Sequence, residues 1–231
     1  MSNIKQTRVF ILTLVVFLFS IFPVQTFALS AGTLKIEEAR EVLEEILRIP
    51  EKGIPPALLR NARGIAIIPG VIKVGLVIGG RHGKGIVMIR DEHNNWTNPA
   101  FISITGGSLG WQIGAKSTDV ILVFKTQKSI TNIMKGKFTL GADAAIAAGP
   151  VGRTAGAATD AQMKAEIYSY SRSRGLFAGV SLDGSAISID HDSNIEYYGG
   201  EGSVEWIFSS KSPEREESKK IKEILYKYAN P

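Results

Sequence analysis

The chain has 231 residues, of which 44% are hydrophobic, and a net charge of +5 at neutral pH. This length is sufficient for a domain with a full core, and the charge is too small to indicate nucleic-acid binding by itself. The sequence contains no cysteine, which excludes disulfide bonds and a lipid-modified N-terminal cysteine.

Residues 1–28 have the pattern of a secretory signal peptide. Basic residues precede the apolar run Val9–Phe22, and Thr26-Phe27-Ala28 supplies small residues at the −3 and −1 positions of a cleavage site. The run is shorter than the roughly 20 residues that a membrane-spanning helix needs; an uncleaved anchor is the alternative. We expect cleavage after Ala28 and a single exported domain over residues 29–231, periplasmic or extracellular.

The remainder of the chain predicts a helix followed by many short strands. Leu34–Ile49 has apolar residues at helical spacing, with glutamates outside that stripe. The next segments are short apolar runs separated by glycine, which are typical of strands joined by tight turns. Strands are predicted at Ile65–Ile68, Val71–Ile78, Gly85–Ile89, Phe101–Thr105, Trp111–Ala115, Val120–Phe124, Ile167–Ser171, Leu176–Leu182 and Ala186–Ile189.

Turn and helix signals complete this organisation. Pro69-Gly70 and Arg81–Lys84 are predicted as turns between the first strands, and Asp183-Gly184 as a hairpin turn. A helix is predicted at Gln127–Met134, whereas Phe138–Ala148 fits either a strand or a buried helix.

A last helix is predicted after Ser212-Pro213, acidic at its start and rich in lysine later, as the helix dipole favours. Together these elements predict an α+β fold: a mainly antiparallel sheet or barrel-like β core with an N-terminal and a C-terminal helix.

Two glycine-rich segments imitate known catalytic or phosphate-binding motifs. Gly106–Gly110 matches the G-x-S-x-G nucleophile elbow with Ser108, but an elbow joins a strand to a helix, and here strand-like sequence follows. Gly79–Gly85 has the wrong spacing for a Walker phosphate loop and has no Ser or Thr after its lysine. We interpret both segments as glycine-rich turns, the second with basic side chains that could meet an anion.

An acidic segment imitates a calcium-binding loop. Asp190, Asp192, Asn194 and Glu201 have the spacing of calcium ligands, but Ile195 stands where the loop needs glycine. The histidines have no metal-ligand spacing. We therefore interpret the segment as an Asp/Asn-rich turn and expect neither a metal nor another cofactor.

Taken together, the runs of sequence resemble the SYLF domain family over roughly residues 37–200. The family includes SH3-linked actin-patch and phosphoinositide-binding proteins and many exported bacterial proteins. The resemblance is carried by an ordered set of short motifs: Ala62–Pro69 (AxGIAIIP, with Arg63 at x), Lys73-x-Gly75, Gly79–Gly85, Trp96-x-x-Pro99-Ala100-Phe101, Gly106–Gly114 (GGSLGWQIG), Asp119, Gly141-x-Asp143, Ala148-Gly149-Pro150-x-Gly152-Arg153, Tyr168–Ser171 (YSYS), Gly175–Gly179 (GLFAG) and Tyr197-Tyr198-Gly199.

The resemblance implies a non-catalytic domain that binds lipid, chiefly anionic headgroups, with actin binding in some fungal members. Headgroup binding requires lysine and arginine side chains clustered on one face. The block from Lys52 to Arg90 contains basic residues and no acid. The candidate lipid-binding residues within it are Arg60, Arg63, Lys73, Arg81 and Lys84.

Three hypotheses for the function follow from these observations. The first is a domain of the cell envelope that binds an anionic lipid or membrane surface. The second is a structural or protein-interaction domain with an envelope protein as its partner, and the third is a hydrolase that uses Ser108. An exported bacterial domain does not ordinarily meet cytoplasmic actin or phosphoinositides, so the export signal leaves the lipid or partner open.

Overall fold

A long, curled β-sheet forms the centre of the structure, and some of the helices pack on its outer face. The structure is a computed structural model and describes residues 29–49, 53–75, 78–109, 114–149, 164–173, 176–177, 182–200, 202–209 and 211–230. The helices are α1 (Ala31–Leu47), α2 (Pro56–Asn61), α3 (Gln127–Met134), α4 (His191–Tyr198), α5 (Val204–Ile207) and α6 (Glu216–Ala229). The strands are β1 (Gly64–Gly75), β2 (Ile78–Ile89), β3 (Ala100–Leu109), β4 (Gly114–Phe124), β5 (Lys137–Thr139), β6 (Ile146–Ala148), β7 (Ile167–Ser173), β8 (Leu176–Phe177) and β9 (Ala186–Ile189).

Within the described ranges, the strands form one nine-stranded sheet in the order β5-β9-β3-β2-β1-β4-β7-β6, with β8 on β7. Neighbouring strands are antiparallel, except for the parallel pair of β6 and β7. The rings of Phe124 in β4 and Phe138 in β5 lie 6.4 Å apart, although several strands separate them in the sheet. The sheet therefore curls, and we call the side that carries both rings the concave face. The predicted α+β fold, with its mainly antiparallel, barrel-like sheet and a helix near each end, is confirmed.

The opposite, convex face packs against helices α1 and α4. Arg172 in β7 places Nη2 2.9 Å from Asp119 Oδ2 in β4 and also pairs with Glu45 of α1. The Phe101 ring in β3 packs edge to face on Tyr197 of α4, with ring centroids 5.3 Å apart. Side chains alternate between the two faces along a strand, so Asp119 is convex and its neighbour Val120 is concave.

Helix α1 is amphipathic, as predicted, but extends from Ala31 to Leu47 rather than from Leu34 to Ile49. Ser30 caps its start, because the Ser30 Oγ accepts a hydrogen bond of 3.1 Å from the Thr33 amide. The apolar face of the helix is fully buried at Ile36, Ala39, Leu43 and Ile46. Burial of this apolar face fixes the helix on the sheet.

Strand β1 continues through Pro69-Gly70, so the turn predicted there is wrong. The register against β4 shifts between Ile68 and Val71, which identifies a β-bulge. Gly70 has a φ of +58°, a left-handed conformation that glycine adopts without steric cost, and its amide donates to Asp119 Oδ1 at 2.9 Å. A bulge also tolerates proline, because the ladder is already interrupted there.

Strand β2 continues through Arg81–Lys84, so the second predicted turn is also wrong. All four residues pair with β3, and Arg81 and His82 also pair with β1, so this segment is strand and does not form a phosphate loop. Gly85 is required by close approach, because a Cβ there would lie 2.2 Å from the carbonyl oxygen of Ile67. Glycine spacing in this segment therefore reflects tight packing against β1, not turns.

The other predicted elements are mostly confirmed. Helix α3 and strand β9 have their predicted bounds. A turn is present at Asp183-Gly184, with Gly184 at a φ of +74°, but β9 pairs with β3 and β5 while β8 pairs with β7, so the predicted hairpin is wrong. The ambiguous segment Phe138–Ala148 contributes the two short strands β5 and β6. The last helix starts only at Glu216, and Ser212 instead accepts a 2.8 Å hydrogen bond from Asn98 Nδ2.

Several sequence predictions concern positions that lie outside the described residues. They are the signal peptide at 1–28, the strand start at 111–113, the strand residues 178–181 and Glu201.

Candidate functional site

The predicted basic block divides between the two ends of strand β1. Arg60 and Arg63 precede the strand, and Arg60 Nε donates a hydrogen bond of 3.0 Å to the carbonyl oxygen of Ala229 in α6. Lys73 lies near the other end of the strand, about 30 Å from Arg63 at the usual rise per residue. A single small headgroup therefore cannot contact both halves of the block.

Lys84 is on the convex face and is part of an internal ion pair. Its Nζ lies 2.8 Å from Asp190 Oδ2. Asp190 is also the N-cap of α4, where its side chain accepts a hydrogen bond of 3.1 Å from the Ser193 amide. Burial tends to raise the pKa of Asp190, but the hydrogen bonds from Lys84 and Ser193 and the charge of Lys84 hold this pKa below its usual value. Lys84 thus joins β2 to α4.

Lys73 and Arg81, by contrast, lie directly opposite each other in β1 and β2. On the other side of β1, Lys73 lies directly opposite Lys116 of β4. We call Lys73, Arg81 and Lys116 the cationic row. Residues opposite each other in antiparallel strands share a face, with Cβ atoms about 5 Å apart. Lys116 is separated from Thr118, Val120 and Phe124 by even numbers of residues along β4, so it shares their face. The cationic row is therefore on the concave face.

Sequence reasoning found only part of the cationic row. Lys116 was missed because it is far from the basic block in sequence, and only the pairing of β1 with β4 brings it to Lys73. Like charges directly opposite in a sheet are destabilising. Their alignment across adjacent strands is therefore a cost to the fold that a bound anion would offset.

The surroundings of the row leave its two lysines accessible. Lys73 and Lys116 are exposed, and neither forms an ion pair with a described acidic residue. Arg81 is half-buried, because the turn Asp183–Ser185 packs beside it: a Cβ at Gly106, the residue opposite Arg81, would lie 2.7 Å from Ser185 Oγ. Burial lowers the pKa of Arg81, and the nearby Asp183 carboxylate opposes this shift.

The segment that imitates a calcium loop is largely helical. Asp192 and Asn194 belong to α4, so the predicted Asp/Asn-rich turn is wrong. Asn194 is fully buried, and its Oδ1 accepts a hydrogen bond of 2.8 Å from the Phe101 amide. The hydrogen bond between Asn194 and Phe101 and the ion pair between Asp190 and Lys84 together hold α4 on the sheet. In the described part of the chain, no group of histidine, aspartate or glutamate residues could hold a metal ion.

Ser108 lies near the end of strand β3, where its backbone pairs with Gly79 of β2. A nucleophile elbow requires a sharp turn between a strand and a helix. Gly106–Leu109 is extended strand, so both the elbow geometry and the predicted glycine-rich turn are absent at these residues. Among the described helices, none is long and apolar enough to cross a membrane.

Comparison with known proteins relates this chain to a family described as actin regulators. The family model described as "Ysc84: Las17-binding protein actin regulator" matches residues 105–228. LAS seventeen-binding protein 3 of Saccharomyces cerevisiae is 37% identical over 164 residues, which cover 70% of this chain and 36% of that protein.

Two vertebrate proteins named SH3 domain-containing YSC84-like protein 1 are similar as well. The Xenopus laevis protein is 34% identical over 168 residues, which cover 70% of this chain and 50% of that protein. The Homo sapiens protein is 32% identical over 195 residues, which cover 82% of this chain and 57% of that protein. The chain thus spans between about a third and somewhat more than half of the length of these relatives.

Proposed function

The chain belongs to the Ysc84 family of Las17-binding actin regulators, and from that premise we propose that it is a non-catalytic module that binds anionic lipid surfaces through the cationic row. The observation that carries this proposal is the alignment of Lys73, Arg81 and Lys116 across three adjacent strands. The predicted signal peptide supports an exported protein of the cell envelope, where phospholipid headgroups and other anionic lipids are available.

The energetics of the row fit a membrane surface. A lysine or arginine near an anionic membrane contributes about 1 kcal/mol. The two exposed lysines give an attraction of about 2 kcal/mol, to which the half-buried Arg81 beside Asp183 adds less than a full charge; this is enough for reversible binding and not for permanent anchoring. Because the row crosses three strands, its charges are held in place by the sheet.

Vesicle co-sedimentation tests the proposal with two matched variants. Lys73→Gln/Lys116→Gln removes two charges from the row, and Arg60→Gln/Arg63→Gln removes two charges from the opposite end of β1. We expect the exported protein, residues 29–231, to sediment with vesicles containing anionic phospholipid and not with purely zwitterionic vesicles. The row variant should bind roughly thirtyfold more weakly, as expected from a loss of about 2 kcal/mol.

The control variant should keep most of the affinity of the unmodified protein. Equal losses in the two variants would show that only net charge matters and would contradict a site at the row. Binding that ignores lipid charge would overturn the proposal as a whole.

A second candidate is a protein-interaction module, which is favoured by the family description as Las17-binding proteins. A pull-down from the host's envelope fraction distinguishes it from the first. Retention of one defined partner by both the unmodified protein and the row variant, without affinity for vesicles, would support this candidate.

A further inference from the structure

The end of the sheet that carries the cationic row has an exposed apolar patch on its other face. Ile72 and Val74 in β1 are 52% and 50% exposed. Earlier in the same strand, Ile65 and Ile67 are 1% and 0% exposed. The packing that buries this face of β1 therefore ends between Ile67 and Ile72.

The register shows that this patch is convex and has small or polar neighbours. Ile72 lies opposite His82 of β2 and Ser117 of β4, and Val74 lies opposite Gly80. Ser117 is two residues from Asp119 along β4 and therefore shares its convex face, on which α1 packs. None of these neighbours is acidic, and none of them is large enough to cover the two aliphatic side chains.

We propose that Ile72 and Val74 insert into the apolar layer of an anionic membrane while the cationic row contacts the lipid phosphates. This inference rests on the proposed function and adds the orientation of the domain on the membrane. Lys73 lies between the two aliphatic residues along the strand and points to the concave face. Along β1, Ile72 lies about 3 Å before Lys73 and Val74 lies about 3 Å after it.

The combination of the two faces favours a membrane over a protein groove as the occupant. Aliphatic and cationic side chains alternate along the end of β1. A membrane that meets this end of the strand therefore contacts both kinds of side chain. A bilayer interface offers acyl chains directly beside anionic phosphates, and binding there increases with buried apolar area and with electrostatic attraction. A groove on a protein that contacts one face would leave the other chemistry unused.

The absence of cysteine from the chain permits a direct test. Single variants Ile72→Cys and Val74→Cys are labelled with a fluorophore that responds to polarity. Ile195→Cys is the matched control, because Ile195 is 49% exposed and lies on α4. The labelled proteins, each comprising residues 29–231, are mixed with anionic vesicles whose acyl chains carry a nitroxide quencher, and co-sedimentation of each is measured in parallel.

We expect the labels at positions 72 and 74 to shift to shorter wavelength and to be quenched, and the label at 195 to remain unchanged. Sedimentation without quenching at 72 and 74 would overturn this inference and leave the proposed function in place. Absence of sedimentation would overturn the proposed function and this inference with it. A wavelength shift at 72 caused by envelope proteins without vesicles, together with no quenching on vesicles, would identify a protein as the occupant.

A double substitution gives an independent measurement. Ile72→Thr/Val74→Thr keeps β-branched side chains and hence the strand preference, but removes much of the apolar surface. We expect vesicle affinity to fall about tenfold, with little change in thermal unfolding. Ile195→Thr should leave vesicle affinity unchanged. Equal affinities for the double variant and the unmodified protein would overturn the inference.

Discussion

Lys73 and Lys116 lie directly opposite each other in adjacent antiparallel strands, without an acidic partner among the described residues. In a sheet, such a like-charge pair lowers stability, whereas an opposite-charge pair raises it. A feature that costs stability but aligns charge is typical of a binding site.

The first prediction is that charge reversal at the row stabilises the fold and impairs binding. Lys116→Glu places an acid opposite Lys73, and we expect the free energy of unfolding to rise by about 0.2–1 kcal/mol. Binding to anionic vesicles should fall in the same variant. Urea denaturation and co-sedimentation measure the two effects, with the exposed Lys211→Glu as a control of equal charge change. A lower free energy of unfolding for Lys116→Glu would contradict repulsion in the row.

The second prediction concerns ionic strength. Attraction between the row and a charged surface is screened by salt, with a Debye length of about 10 Å at 0.1 M. We expect vesicle affinity of the unmodified protein to fall steadily as sodium chloride is raised. The affinity of Lys73→Gln/Lys116→Gln should show a shallower decrease. Identical salt dependence of the two proteins would mean that other charges make the contact.

The third prediction compares two glycines in neighbouring strands. Gly85→Ala forces a Cβ against the carbonyl oxygen of Ile67, and we expect a loss of stability of about 1–3 kcal/mol. Gly107→Ala has no atom within 4 Å of its new Cβ, so its stability should be unchanged or slightly higher. Thermal unfolding of both variants provides the measurement. Similar stabilities would show that β1 and β2 do not approach as closely as described.

The fourth prediction is a pH dependence that originates at Glu217 in α6. Burial tends to raise the pKa of Glu217, but hydrogen bonds donated by Tyr197 (2.7 Å) and Thr33 (2.9 Å) hold it below its usual value of 4.5. A carboxyl whose pKa is lower in the folded state stabilises the fold above its unfolded pKa, and that contribution is lost as the pH falls through the folded value.

Stability should therefore decrease as the pH falls below 4.5, and this decrease should be smaller in Glu217→Gln. Urea denaturation midpoints at a series of pH values give the comparison. The exposed Glu216→Gln is the control, and its pH profile should match that of the unmodified protein. A Glu217→Gln profile parallel to the unmodified one would remove Glu217 as the source.

Local signals in the sequence were sufficient for the elements whose structure is set locally. Helix α3 and strand β9 have their predicted bounds, because helical spacing and strand alternation are properties of a few adjacent residues. The long strands were broken in the wrong places. Glycine and proline signal a turn in isolation, but in β1 and β2 they allow a bulge and a close approach that depend on neighbouring strands.

The candidate site was harder to predict than the fold for the same reason. Lys73 and Arg81 were found because they lie in one basic block, and Lys116 was missed because its position depends on strand pairing over a long sequence distance. Arg60 and Arg63 were grouped with them by sequence. In space, the extended strand β1 separates these two arginines from Lys73 and Arg81. Charge clusters in sequence become clusters in space only when the register is known.

The bulge at Pro69-Gly70 decides which chemistry each side of the sheet end presents. Strict odd–even alternation counted from the concave Ile68 would turn Ile72 and Val74 inward and Lys73 outward. The one additional residue of the bulge inverts this parity, so the aliphatic pair points outward and the lysine inward. A one-residue deletion at this point would turn the lysine outward and the aliphatic pair inward without changing the residues of the strand end. The length of this short segment therefore determines which side chains each face of the strand end presents.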